Sequence, residues 1–163
     1  DGLPAGGHVH VVRADDRNRN LLFAGTEFGL FVMDVAPLEQ LDAKTAEETL
    51  HLFDVKPAAA FQTRPGRGLD PGANYAVPNP PYGATVWYWL KDRAAKVRVE
   101  ITDAQGEAVA SLRGDGEPGL HSVQWDLRYS AEGDGTIPAG DYTVRVTAGD
   151  RTATKGLRVG AEK

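Results

Sequence analysis

The sequence predicts a mostly β protein that contains a β-sandwich, and three observations support this prediction. Apolar and polar residues alternate over short runs in the second half of the chain, as they do in strands with one buried face. The 163 residues include 19 glycines and 10 prolines, a composition typical of many turns and few long helices. Turn residues separate the short runs at intervals of about 8–12 residues, which is the spacing of sandwich strands.

Residues 1–36 are predicted to form a three-stranded β-meander. The predicted strands are 8–12, 21–26 and 29–34, each short and rich in Val, Leu or Phe. A polar run at 15–20 supplies the first turn, and residues 27–29 supply the second. Connections this short join neighbouring antiparallel strands.

Residues 37–83 are predicted to contain two short helical turns followed by a proline-rich strap. The helical turns are expected near 37–41 and 45–49, with Thr45 as N-cap and Glu48 completing a capping box. Six of the ten prolines lie between residues 54 and 83, which favours extended chain. The segment is either a flexible linker or an ordered strap, and its aromatic residues favour a strap that packs on the β domain.

Residues 84–163 are predicted to form the sandwich. The first strand is apolar on both faces, with Trp87 and Trp89 together on one of them. We therefore expect the strap to cover its outer face. Six strands are predicted, at 84–91, 96–103, 107–112, 120–127, 141–148 and 151–159.

Composition and motifs exclude several functions. The net charge of −5 argues against nucleic acid as a partner, because nucleic-acid binders carry a basic surplus. The absence of cysteine excludes disulfides and cysteine-based zinc sites, and no apolar run is long enough to span a membrane. His8 and His10 share a strand face and could bind a metal with a third ligand, but we favour an exposed pair. No catalytic constellation and no cofactor site are predicted.

Parts of the sequence resemble known families. Residues 97–109 (VRVEITDAQGEAV), 119–126 and 138–146 resemble the Ig-like domains of the flagellar hook-cap type (FlgD-like). Residues 20–32 (NLLFAGTEFGLFV) resemble a blade of bacterial sortilin-like, BNR-repeat β-propellers, and residues 33–41 resemble the exit from their last blade. The resemblance implies an Ig-like or fibronectin-III-like sandwich after a propeller-blade remnant, as at the C-terminal end of a larger exported bacterial protein.

The expected function is that of a non-catalytic structural or interaction module outside the cytoplasm, meaning extracellular, at the cell surface or periplasmic. No Asp-box is present, and the active-site positions of larger propeller relatives have no match, so their hydrolase activity is not carried over. A single blade leaves unpaired strand edges, which predict a stable contact with another protein surface. The predicted partner is either another copy of the chain, in an oligomer or a filament, or the rest of a propeller. The predicted interaction residues are Val9, Val11, Leu22, Phe23, Phe28, Leu30 and Phe31.

A carbohydrate-binding accessory domain of a larger secreted propeller hydrolase is the alternative function. Trp87, Trp89 and Tyr82 could form a platform for a glycan, because flat aromatic rings stack on sugar faces. The competing interpretation is that these rings bury the strap against the sandwich.

Overall fold

A computed structural model of the chain describes residues 7–60, 82–129, 135 and 137–161. The protein is mostly β, as the sequence predicts, with eleven strands and two short helices in these residues. The chain divides into two compact units, Asp1–Glu47 and Glu48–Lys163.

The first unit contains a three-stranded antiparallel sheet followed by two short helices. The sheet has the order β1-β2-β3, and neighbouring strands in it are consecutive in sequence. The elements are β1 (Val9–Ala14), β2 (Leu21–Thr26), β3 (Gly29–Asp34), α1 (Ala36–Glu39) and α2 (Ala43–Glu47).

Helix α2 begins earlier than the sequence predicts. The backbone N–H of Thr45 donates to the Asp42 carboxylate at 2.7 Å, and this bond holds the pKa of Asp42 below its usual value. Asp42 is thus the capping residue, and the predicted N-cap role of Thr45 is wrong. Thr45 is instead buried inside the helix, where its hydroxyl donates to the Gln40 carbonyl at 3.3 Å.

The second unit is a sandwich of two sheets. The larger sheet has the strand order β5-β11-β10-β7-β8, and the smaller sheet has the order β4-β6-β9. The strands are β4 (Leu50–Leu52), β5 (Ala58–Ala60), β6 (Ala84–Leu90), β7 (Val97–Thr102), β8 (Ala108–Gly114), β9 (Gly119–Trp125), β10 (Gly140–Ala148) and β11 (Arg151–Ala161).

Two of these strands come from the segment in which the sequence predicts helical turns and a strap. Strand β4 pairs antiparallel with β6, and β5 pairs parallel with β11. Part of this segment is therefore integral to the sandwich. The expectation that the strap covers the outer face of β6 falls largely on residues 61–81, which lie outside the described residues.

The core lies between the two sheets and follows the predicted alternation. Val97, Val99 and Ile101 of β7 are buried, and the polar residues between them face outward. Strand β6 contributes Val86 and Tyr88 from the opposite sheet. Burying such β-branched and aromatic side chains supplies most of the folding free energy of a domain this size.

One end of the core is built around Tyr142. Its hydroxyl donates to the Pro138 carbonyl, four residues upstream, at 2.7 Å, and its ring meets Trp125 edge to face at 5.9 Å between centroids. Burial raises the pKa of the Tyr142 hydroxyl. A tyrosine that bonds back to the backbone a few residues upstream is a known feature of Ig-like sandwiches.

Strongly alkaline pH should destabilise the sandwich through Tyr88, whose buried hydroxyl donates to the Asp115 carbonyl at 2.7 Å. Burial raises the pKa of this hydroxyl from 10.0 to about 12, against a smaller opposing effect of the hydrogen bond. Its contribution to stability is complete below pH 10 and is lost as the pH rises towards about 12. Urea unfolding across this pH range should show a steeper fall in stability for wild type than for Tyr88→Phe, and equal slopes would contradict the assignment.

Candidate interaction surface on the three-stranded sheet

The sheet of the first unit carries apolar side chains on both faces. Strand register places Val11, Gly25 and Leu30 in one row across the three strands. Residues in register share a face, and adjacent rows alternate between faces. One face, here called the open face, is formed by Val11, Arg13, Leu21, Phe23, Gly25, Leu30, Val32 and Asp34.

The open face exposes apolar surface in its outer strands. Leu30 is 68% exposed, Val32 56% and Val11 49%. Leu21 and Phe23, in the central strand, are half-buried. Contiguous apolar surface of this kind is uncommon on monomeric soluble domains and marks sites of contact with other molecules.

Gly25 shapes the centre of the open face. A Cβ atom at this position would lie 2.8 Å from Cγ1 of Val11, closer than carbon atoms approach without strain. The missing side chain lets Val11 pack over the β2 backbone at this position.

The opposite face is more covered. Ala24 lies at its centre, in register with Val12 and Phe31, and is only 7% exposed. Phe31 is half-buried, whereas Val12 and Met33 at the two outer strands are exposed. The apolar surface of this face is therefore concentrated at its margins.

The two edges of the sheet differ. The register of β1 on β2 shifts between Val9 and Val11, and such a bulge twists an edge and discourages pairing. Strand β3 pairs with β2 without interruption from Gly29 to Asp34. The N–H of Val35 donates to the Asn20 carbonyl at 2.7 Å, so by antiparallel alternation the N–H groups of Leu30 and Val32 point away from β2. The β3 edge is the more regular template for a further strand.

Glu27, in the turn between β2 and β3, connects to the start of β1. Its carboxylate accepts the backbone N–H of His8 at 3.1 Å and lies 3.1 Å from Nε2 of His10. The His8 backbone bond is the main cause of the lowered pKa of Glu27. In the part of the chain that the structure describes, no three His, Asp or Glu side chains are grouped to hold a metal ion. The contacts of Glu27 with His8 and His10 connect the turn between β2 and β3 to the start of β1.

The structure distributes the predicted interaction residues over both faces and the second turn. Val9, Val11, Phe28 and Leu30 are exposed, whereas Leu22, Phe23 and Phe31 are half-buried. Sequence reasoning missed Val12, Val32 and Met33, which are also exposed. The signal that could have found them is the run of consecutive apolar residues in β1 and β3, which puts apolar side chains on both faces of each strand.

Trp87 and Trp89 lie on the outer face of the smaller sheet. Both are half-buried, on the side of β6 opposite the buried Val86 and Tyr88. In register with them on β9 are Ser122 and Leu120. Tyr82, the third predicted glycan contact, precedes β6 and accepts a hydrogen bond from Gln124 Nε2 on its carbonyl at 2.8 Å.

The arrangement of β6 to β11 and the hydrogen bond of Tyr142 to upstream backbone are those of an Ig-like sandwich. Residues 83–152 match the FlgD Ig-like domain. The match to the FlgD Ig-like domain begins at Gly83, immediately before β6, and ends within β11. It confirms the hook-cap resemblance for the sandwich, while the propeller resemblance of the first unit stays a prediction.

One solved structure has a low similarity to the chain. CopC from Methylosinus trichosporium OB3b aligns with 70% of this chain and 96% of its own, at 12% identity and a TM-score of 0.38. No curated protein matches the chain. None of the helices in the described ranges is both long and apolar enough to cross a membrane.

Proposed function

We propose that the chain is a non-catalytic interaction module in which the FlgD Ig-like domain provides a stable base and the three-stranded sheet binds a partner. The partner is a second β surface, either another copy of the chain or a neighbouring propeller blade. Copies joined in this way would form oligomers or filaments. The location we propose is extracellular, at the cell surface or periplasmic.

The exposure of the open face carries this proposal. Leu30, Val32 and Val11 form an apolar surface that costs free energy in water, at about 25 cal/mol for each Å² exposed. Next to it runs the regular edge of β3. An apolar face beside a strand edge that pairs with no other strand of the described residues fits β-strand addition, in which backbone hydrogen bonds and side-chain packing act together.

Negative charge on the open face should abolish association. In Leu30→Glu/Val32→Glu, two exposed apolar side chains of β3 become carboxylates. Each apolar side chain buried in an interface stabilises it by about 1.5–3 kcal/mol, so losing two of them should lower the association constant at least about 100-fold. Sedimentation velocity over a range of protein concentrations measures this change.

A matched control is available on the sandwich. Thr152 and Thr154 are exposed on β11 with the same two-residue spacing, so Thr152→Glu/Thr154→Glu makes the same charge change on a polar strand. This control should associate like wild type. A wild-type chain that stays monomeric at every concentration, or a control that dissociates equally, would contradict self-association through the open face.

Glycan binding at Trp87 and Trp89 is the second candidate, and their shared outward position on β6 favours it. Rings on one strand face can stack on successive sugars. A monomeric chain whose tryptophan fluorescence changes with a polysaccharide, in wild type but not in Trp87→Ala, would support this function over the first.

A further inference from the structure

The outer face of the larger sheet carries a cluster of basic side chains around Arg98. Arg98 of β7 is in register with Arg113 of β8 on one side and with Thr147 of β10 on the other. The next outward row places Glu100 between Ser111 and Arg145. Lys96 stands just before β7 and is also exposed. The basic face is defined by Lys96, Arg98, Glu100, Ser111, Arg113, Arg145 and Thr147.

The basic face has a local charge opposite to that of the whole chain. Four cationic side chains surround one carboxylate, that of Glu100, which pairs with Arg98 Nη1 at 3.2 Å. Arg113 lies directly across from Arg98, and like charges in this position destabilise a sheet. The chain as a whole carries a net charge of −5, so this concentration of positive charge is not a consequence of composition.

The surface around Arg98 contains two shallow depressions. A shallow depression of about 210 Å³ lies towards β8 and includes Ser111 and Arg113. A second, of about 270 Å³, lies towards β10 and includes Glu100 and Thr147. Lys96 and Arg98 line both depressions. An elongated ligand crossing the strands would therefore meet a cation in each depression.

We propose that this basic face binds an acidic polysaccharide, with Arg98 and Arg113 holding its carboxylate or sulfate groups. Guanidinium groups bind such anions through paired, charge-assisted hydrogen bonds. An anion bound between Arg98 and Arg113 would also offset their mutual repulsion. The hydroxyl of Thr147 and the carboxylate of Glu100 supply hydrogen-bond partners for sugar hydroxyls.

The chemistry of the face favours a polysaccharide over other polyanions. Its outward positions on β7, β10 and β11 are polar residues or glycine. Single-stranded nucleic acid uses aromatic platforms for its bases, and membrane surfaces are held partly by apolar side chains that enter the lipid. The outward positions of these three strands offer neither kind of contact.

The test uses the full chain with alginate as the acidic polysaccharide, dextran as the neutral one and a DNA oligonucleotide as the competing polyanion. We expect alginate to bind at low salt, more weakly at high salt, and dextran not to bind. Arg98→Ser/Arg113→Ser should lower the alginate affinity at least about 10-fold. Affinity electrophoresis and titration calorimetry both measure this change, and thermal unfolding checks that the variant is folded.

The charge-matched control is Arg17→Ser/Arg19→Ser, which removes two exposed arginines from the turn between β1 and β2. It should retain wild-type affinity for alginate. The proposal is overturned if alginate does not bind, if the face variant binds like wild type, or if the control loses as much affinity. Equally tight DNA binding with the same dependence on Arg98 and Arg113 would also overturn it, in favour of a nucleic-acid site.

Discussion

Replacing Trp125 with alanine should lower the free energy of unfolding of the sandwich by about 3–5 kcal/mol. Trp125 is only 1% exposed, and its ring packs edge to face on Tyr142. Its Nε1 donates to the Arg128 carbonyl at 3.0 Å. The substitution removes the largest fully buried side chain of the described residues and also removes the indole hydrogen bond to that carbonyl. Since domains of this size are stable by about 5–15 kcal/mol, much of the total would be lost.

Urea unfolding followed by circular dichroism measures this loss, and Trp87→Ala is the matched control. Both substitutions delete the same side chain, but Trp87 is half-buried on the outer face of β6. Its loss should cost less than that of Trp125. Trp125→Phe should recover much of the apolar packing without the indole hydrogen bond. Equal destabilisation by Trp125→Ala and Trp87→Ala would show that Trp125 does not have the central role assigned to it.

Gly83→Ala should be the most damaging single-methyl substitution at the start of the sandwich, with a cost of roughly 2–4 kcal/mol. Gly83 has a φ of 105°, which side-chain-bearing residues rarely adopt. A Cβ atom there would lie 1.9 Å from the Trp125 carbonyl oxygen. The backbone would have to move where Ala84 and Trp125 are paired in register. Conformational strain and steric overlap therefore add at this position.

Alanine substitutions at two other glycines distinguish the cost of backbone strain from the cost of steric overlap. Gly106 also has a positive φ, of 84°, but its added Cβ would meet no atom within 4 Å, so Gly106→Ala should cost only about 1 kcal/mol. Gly156 is equally open and lies within β11, so Gly156→Ala should be nearly neutral. Thermal unfolding measures the loss of stability in the three variants. If Gly83→Ala costs no more stability than Gly106→Ala, steric overlap with the Trp125 carbonyl does not contribute.

Local pattern was sufficient to predict most of the sandwich strands. In β7 and β10, apolar residues alternate with charged or hydroxyl residues because one face is buried and the other is in water. Strand β5 has no such signal: Ala58–Ala60 has weak strand propensity. Its conformation is decided by pairing with Val159–Ala161, about 100 residues away. A tertiary contact of this kind cannot be predicted from a short window of sequence.

The candidate interaction surface could be predicted only in part from the sequence pattern. The apolar residues of β1 to β3 are evident in the sequence, but their division between faces depends on the bulge at His10, between Val9 and Val11. The bulge places Val9 on the same side as Val12, although an unbroken strand would separate them. The basic face was missed because its arginines lie on different strands and meet only through register.

The parallel pairing of β5 with β11 has a mechanical consequence. A force applied between the N-terminal end of β5 and the C-terminal end of β11 would pull these two strands in opposite directions along their shared axis, because they run the same way. Their backbone hydrogen bonds would then be loaded together, in shear, instead of opening one after another as in a peeled hairpin. Separating β5 from β11 along their axis would therefore require more force than peeling them apart.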